Sequence, residues 1–130
     1  MNGLMGGGGA APSGTNGFDV TETWVERAVV VAVSGDLDML SAPLLDDAIY
    51  AAASKEPAAM IVDLTKVEFL ATAGMNLLLA AHREIVRSAR FGVVADSSPA
   101  TSRPLKLTGI DNEVALYQTI DDALDEFAGA

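Results

Sequence analysis

The sequence predicts an α/β domain built on a single mixed, largely parallel sheet of about five strands with about four helices. Three observations carry this. Two strand-like segments are separated only by Glu26-Arg27, a connection short enough for an antiparallel pair. Met60-Ile61-Val62 is an almost unbroken apolar run of the kind shown by a strand buried on both faces. From Ser41 onward, helical and strand patterns alternate to the end of the chain.

The first strand is expected over Phe18, Val20 and Trp24 and the second over Val29 to Val33, with Gly35 ending it. Ser41 opens a helix running to about Ser54, with Pro43 in its first turn and Asp46 and Asp47 toward the positive end of its dipole. After Pro57 comes the central Met60–Val62 strand. Thr72 to about Arg90 reads as a second helix. Gly74, Leu77, Leu78, Ala81, Ile85 and Ala89 fall on its inward side, and Thr72, Asn76, Leu79, Arg83 and Arg87 on the opposite side with Met75 as an apolar shoulder. Phe91 to Val94 is a strand, and Ser98-Pro99 a helix start. Pro104 would cost about 3 kcal/mol inside a regular helix, so a short, kinked or 3₁₀ piece closed by Gly109 is expected there. Val114 to Tyr117 reads as an edge strand and Ile120 to Phe127 as a closing helix with Leu124 and Phe127 turned inward.

With 130 residues, half of them hydrophobic and a fifth charged, the chain has the length and apolar content of one domain. Residues 1–17 hold seven of the twelve glycines and no charge, so they are read as a flexible Gly-rich tail preceding a domain over 18–130. The tail has neither the basic nor the apolar region of a signal peptide, and no apolar run approaches the roughly twenty residues that span a bilayer. A net charge of −10 repels phosphate backbones and anionic lipid, which argues against nucleic acid or membrane as a partner. The absence of cysteine excludes thiol nucleophiles, zinc-thiolate sites and disulfides, and fits a reducing, cytoplasmic setting.

Little in the residue inventory supports catalysis. His82, the only histidine, sits mid-helix with no G-x-S-x-G elbow in the chain. Gly6 to Gly9 lack the following Gly-Lys-Ser/Thr of a phosphate-cradling loop. Asp36 and Asp38 follow a strand, where turn carboxylates ordinarily face solvent. Arg83, Arg87 and Arg90 at i, i+4 and i+7 read as a solvated helix face. Trp24 and the two tyrosines are too scattered for base stacking and are read as packing residues. The chain is therefore expected not to be an enzyme, and no cofactor or metal is expected.

The junction after the central strand stands out: Asp63-Leu64-Thr65-Lys66-Val67-Glu68-Phe69-Leu70-Ala71-Thr72-Ala73-Gly74-Met75. A hydroxyl immediately before a helical pattern is an N-cap candidate, and Thr72 fits that position; Gly74, one turn in, fits a close approach of helix to sheet.

The junction resembles the signature of the STAS domain of bacterial anti-sigma factor antagonists. There, Asp-Leu-Ser/Thr, an aromatic residue and Asp-Ser-Ser/Thr-Gly lead into a helix. Gly35-Asp36-Leu37-Asp38 is similar to the family's Gly-Glu-Leu-Asp turn, and Ser98-Pro99 and Leu107-Thr108-Gly109-Ile110 to its elements around the third helix. The resemblance covers about Phe18 to Phe127 and implies a STAS fold. It also implies a regulatory protein that binds an anti-sigma factor, typically a serine/threonine kinase of the histidine-kinase-like ATPase fold, and so frees a sigma factor. Phosphorylation reverses the switch. Carried over residue by residue, the phosphoacceptor falls on Thr72, the preceding aspartate on Ala71 and the second hydroxyl on Ala73, so this copy keeps one of the three polar groups. The expected partner surface comprises Asp36, Asp38, Thr72, Asn76 and Leu79, with Met75 beside them. Partner binding without a phosphoswitch, and a STAS module serving as a nucleotide or small-ligand sensor or scaffold, are the alternative readings.

Overall fold

The computed structural model describes residues 17–128; apart from Gly17, the Gly-rich segment expected as a tail lies outside the described residues. The sheet has five strands: β1 (Asp19–Val25), β2 (Ala28–Leu37), β3 (Ala59–Leu70), β4 (Arg90–Val94) and β5 (Leu116–Tyr117). They lie side by side in chain order. β1 pairs antiparallel with β2, and β2 through β5 are parallel, as expected of a mixed sheet. The helices are α1 (Ala42–Ala53), α2 (Thr72–Ile85), α3 (Ser102–Leu107) and α4 (Ile120–Ala128), with one 3₁₀ turn at Ile110–Asn112.

Alternation along the strands divides the core in two. Val29, Val31, Val33, Met60, Val62 and Val93 point to one face, where they meet Leu45 and Ile49 of α1, Leu78 and Ile85 of α2 and Leu105 of α3. Val30, Ile61 and Val94 point to the other, under Ala123, Leu124 and Phe127 of α4. Burial on both faces explains why the Met60–Val62 stretch is continuously apolar.

Both central strands outrun their expected length. β2 continues past Gly35 to Leu37, and β3 reaches Leu70, with register shifts between Ala32 and Ser34 and between Gly35 and Asp36. The β3–β4 pairing stops at Asp63–Val94. Beyond it β3 pairs, among the described residues, with β2 alone, so Lys66 and Glu68 are exposed there and break the apolar pattern that marks a buried strand.

Other boundaries also moved. α2 ends at Ile85 rather than Arg90, and Arg90 opens β4 opposite Ala59, so the three arginines do not share a helix. Ser98-Pro99 form a turn before α3, which starts at Ser102; Pro104 is its third residue, where the missing N–H has no intrahelical acceptor to lose. Gly109 follows in the left-handed conformation at φ +78°. β5 is two residues long, because Val114 turns into the core instead of joining the ladder. Trp24 is exposed rather than packed, its indole N–H donating to Glu22 at 2.7 Å. No described helix is long and apolar enough to cross a membrane.

Candidate functional site

The two segments singled out in the sequence meet at the C-terminal end of the parallel strands. Asp36 lies opposite Phe69 and Leu37 opposite Leu70, and the Ala71 N–H donates to the Leu37 carbonyl at 2.9 Å. The turn leaving β2 and the start of α2 are thereby fixed to each other. Gly35 is required in this turn. Its φ is +91°, and a Cβ would stand 3.0 Å from the Phe18 Cα and the Gly17 carbonyl oxygen.

The two carboxylates of the turn do different work. One oxygen of Asp38 accepts from the N–H groups of Leu40 (3.0 Å) and Ser41 (3.2 Å), which closes the turn into α1. Ser41 is buried and occupies the N-cap position, but its hydroxyl donates to the Asp36 carbonyl at 2.7 Å and accepts from the Asp38 N–H rather than capping α1. Asp46 and Asp47 lie in the second turn of α1, too far in to serve its dipole as expected; Asp38 is the carboxylate at that helix entrance. The Asp36 backbone is thus tied down while its side chain remains half-buried.

At the head of α2 the structure corrects the capping assignment. Ala71, extended at φ −89° and ψ 169°, is the N-cap, and Thr72 is the first helical residue. The N–H groups of Gly74 and Met75 bond to the Ala71 carbonyl. Those of Thr72 and Ala73 have no intrahelical acceptor, and among the described residues no side chain caps them. Thr72 is exposed, so its hydroxyl and two free donors share one surface.

Asn76 is exposed one turn on, and Leu79 is half-buried against the core. Met75 is not the exposed shoulder expected. It is 6 % exposed, and its sulfur lies 3.7 Å from the Thr108 hydroxyl beneath α2. The contact with the Thr108 segment, remote in sequence, draws it inward. Gly74 is pressed onto the sheet as expected: a Cβ there would meet the Leu37 Cγ at 2.7 Å.

Four exposed apolar side chains outside the expected partner surface share this end of the molecule: Met39 (75 % exposed), Leu40 (61 %), Leu44, and Phe69 (55 %) of the junction itself. Met39-Leu40 form an apolar pair in a turn between two polar residues, a position ordinarily filled by Gly, Asn or Ser; that misfit is the signal by which they could have been found. This end of the molecule therefore carries exposed apolar side chains together with the Thr72 hydroxyl and the Asp36 and Asp38 carboxylates. His82 lies ten residues down α2, its ring edge-on to Phe91 and its buried Nδ1 without a partner. No group of three or more potential metal ligands converges among the described residues.

Comparison with known proteins gives a consistent result. Residues 21–123 match the STAS domain. The anti-sigma-F factor antagonist RsfB of Mycobacterium tuberculosis is 35% identical over 117 residues, covering 90% of this chain and 95% of that protein. The crystal structure of an anti-sigma factor antagonist from Mycobacterium paratuberculosis superposes with a TM-score of 0.81 at 40% identity, covering 85% of this chain and 94% of that one. The unphosphorylated form of the anti-sigma factor antagonist SpoIIAA shares the fold at 21% identity, with a TM-score of 0.70 over 86% of this chain and 98% of its own.

Proposed function

The chain belongs to the STAS domain family of anti-sigma factor antagonists, and from that premise we propose that it binds an anti-sigma factor through the Thr72 end of the sheet and thereby frees a sigma factor for transcription. The partner is a serine/threonine kinase of the histidine-kinase-like ATPase fold, the setting is the cytoplasm, and phosphorylation of Thr72 ends the interaction. The observation that carries this reading is the position of Thr72, exposed at the first residue of α2 and at the same end of the sheet as the exposed apolar side chains Met39, Leu40 and Phe69.

The switch has a physical basis in those groups. Unmodified, the hydroxyl is small and uncharged, so an apolar partner surface can cover it and the neighbouring Met39, Leu40 and Phe69 at little desolvation cost. Asp36, Asp38 and Asn76 form the polar rim and favour a basic partner edge. The kinase transfers the γ-phosphoryl of ATP to the Thr72 oxygen, releasing ADP. The product adds about −1.5 to −2 charges and three strong acceptors. The free N–H groups of Thr72 and Ala73 can receive the phosphate from within the domain, so the fold tolerates it while the partner must desolvate a dianion. Met75 contributes from beneath, by holding the head of α2 against Thr108.

A second reading, binding without the phosphoswitch, is favoured by Ala71 and Ala73. Neither can help a kinase orient the hydroxyl as a carboxylate or second hydroxyl would. One experiment separates the two: incubation with the captured anti-sigma kinase and ATP, followed by mass-spectrometric mapping. Label on Thr72 with release of the complex supports the switch. A stable complex without label rejects it in favour of constitutive binding, and failure to capture any anti-sigma factor rejects both.

A further inference from the structure

Away from Thr72, residues in the C-terminal halves of the two long helices, α1 and α2, line a cleft of about 370 Å³. Its floor is Ile49, Ala53, Ala81 and Ile85, with Ala80 on the wall. It runs past Ala53, Ile85 and Ser88 into a second depression of about 480 Å³ beside Pro57 and Ala89. Small residues on both helices let a third backbone approach closely, and the ring of Tyr50, 80 % exposed, stands on the rim.

The charge of the first cleft is one-sided. Its only ionised side chains are Asp46 on the α1 wall and Glu84 on the α2 wall. The cations at hand are already engaged: Lys55 bonds Glu22 at 2.7 Å, Arg27 on the second depression donates to the Glu56 carbonyl at 3.1 Å, and Arg87 reaches Glu84 at 3.8 Å in a fully solvated pair that an incoming cation can displace. An apolar floor between two carboxylates, with an unpartnered tyrosine at the lip, fits a basic amphipathic helix whose apolar stripe lies along the groove.

We infer that this groove is a second protein-docking surface, taking a basic amphipathic helix from a partner protein, separate from the Thr72 end and independent of its phosphorylation. The sign of the charge decides the occupant: an acidic helix of the same apolar pattern would set its carboxylates against Asp46 and Glu84.

The test uses the full chain, isotopically labelled, titrated with a synthetic fourteen-residue helical peptide carrying leucines at i, i+4 and i+7 flanked by lysines, and with its twin in which every lysine is glutamate. The expected result is saturable binding of the basic peptide at least about tenfold tighter than the acidic one, with amide shifts centred on Ile49, Tyr50, Ala53, Ala80 and Glu84. Ala80→Leu, on an exposed position that narrows the cleft, should weaken it about tenfold, and D46K together with E84K should reverse the preference between the peptides. Absence of binding, shifts centred elsewhere, equal affinity for the twins, or an unchanged preference in the reversed variant would each overturn the inference. The Thr72 reading stands or falls separately, since T72E is expected to leave this titration unchanged.

Discussion

The N–H of Ala71 donates to the carbonyl of Leu37 at 2.9 Å, which joins the turn after β2 to the first residue before α2. The bond couples two halves of one surface. Leu37 is flanked by Asp36 and Asp38, and Ala71 precedes Thr72, so this backbone bond, with the Ser41 and Asp38 side-chain bonds that close the turn, fixes the turn relative to the start of α2.

Substitution at Thr72 should therefore separate binding from stability. Thr72 is exposed and caps nothing, so Thr72→Ala should alter unfolding free energy by no more than about 0.5 kcal/mol. Thr72→Glu places a negative charge at a helix N-terminus and should stabilise by about 0.3–1 kcal/mol. Capture of the anti-sigma factor should persist with the alanine and fall at least about tenfold with the glutamate. Parallel loss of binding and stability in urea denaturation would show that the glutamate acts through the fold instead.

Ala71 offers the opposite kind of test. Its backbone already has the extended conformation of an N-cap, but it has no side-chain acceptor for the donors of the first turn. Ala71→Ser should raise stability by about 1 kcal/mol, read as a higher denaturation midpoint at unchanged slope. The same hydroxyl would compete for the N–H groups available to a phosphate, so any phosphorylation of Thr72 should stabilise the A71S protein less than the parent.

Much of this was legible in the sequence, for identifiable reasons. The order of strands and helices followed from runs that bury both faces, such as Met60–Val62, and from the periodic inward side of α2. The second half of β3 was not legible, because a strand bordered on one side only can carry Lys66 and Glu68. Thr72 was found as a position, but its capping role went to Ala71 because a one-residue offset at a helix start leaves no trace in periodicity. Met75 was misplaced because its burial depends on Thr108, thirty-three residues away. Phe69, Met39 and Leu40 stand outside the expected partner surface because apolar residues are read as core until a structure shows them exposed.

The pair Lys55–Glu22, 2.7 Å apart, makes a small contribution whose sign with pH is fixed. The hydrogen bond from the Lys55 ammonium, then that from the Trp24 indole, lowers the Glu22 pKa from 4.5. A carboxylate with a depressed folded pKa adds stability that is fully present above its unfolded value and lost as pH falls through the folded one. Both groups are partly solvated, so the gain is only a few tenths of a kcal/mol and shrinks with salt. Lys55→Met should thus lower stability slightly at pH 7 and flatten its fall below pH 4.5, in denaturation curves recorded at low ionic strength.

Gly74 and Leu37 give the sharpest test of the packing beneath the site. A methyl at Gly74 would stand 2.7 Å from the Leu37 Cγ and 3.0 Å from the Leu70 Cδ1, and Leu37 is fully buried. Alanine favours a helix by about 1 kcal/mol over glycine, but overpacking a filled core costs about 1–3 kcal/mol, so Gly74→Ala should be net destabilising by about 1 kcal/mol. Leu37→Ala alone should cost about 2–5 kcal/mol by opening a cavity. In the double variant the methyl enters space the leucine has left, so the combined loss should fall short of the sum by at least about 1 kcal/mol. The same displacement moves the backbone between Asp36 and Asp38, so Gly74→Ala should shift both amide resonances and weaken anti-sigma factor capture although no contact residue has changed. Simple additivity in the cycle, with both resonances unmoved, would mean that α2 yields to the methyl by lifting away from the sheet.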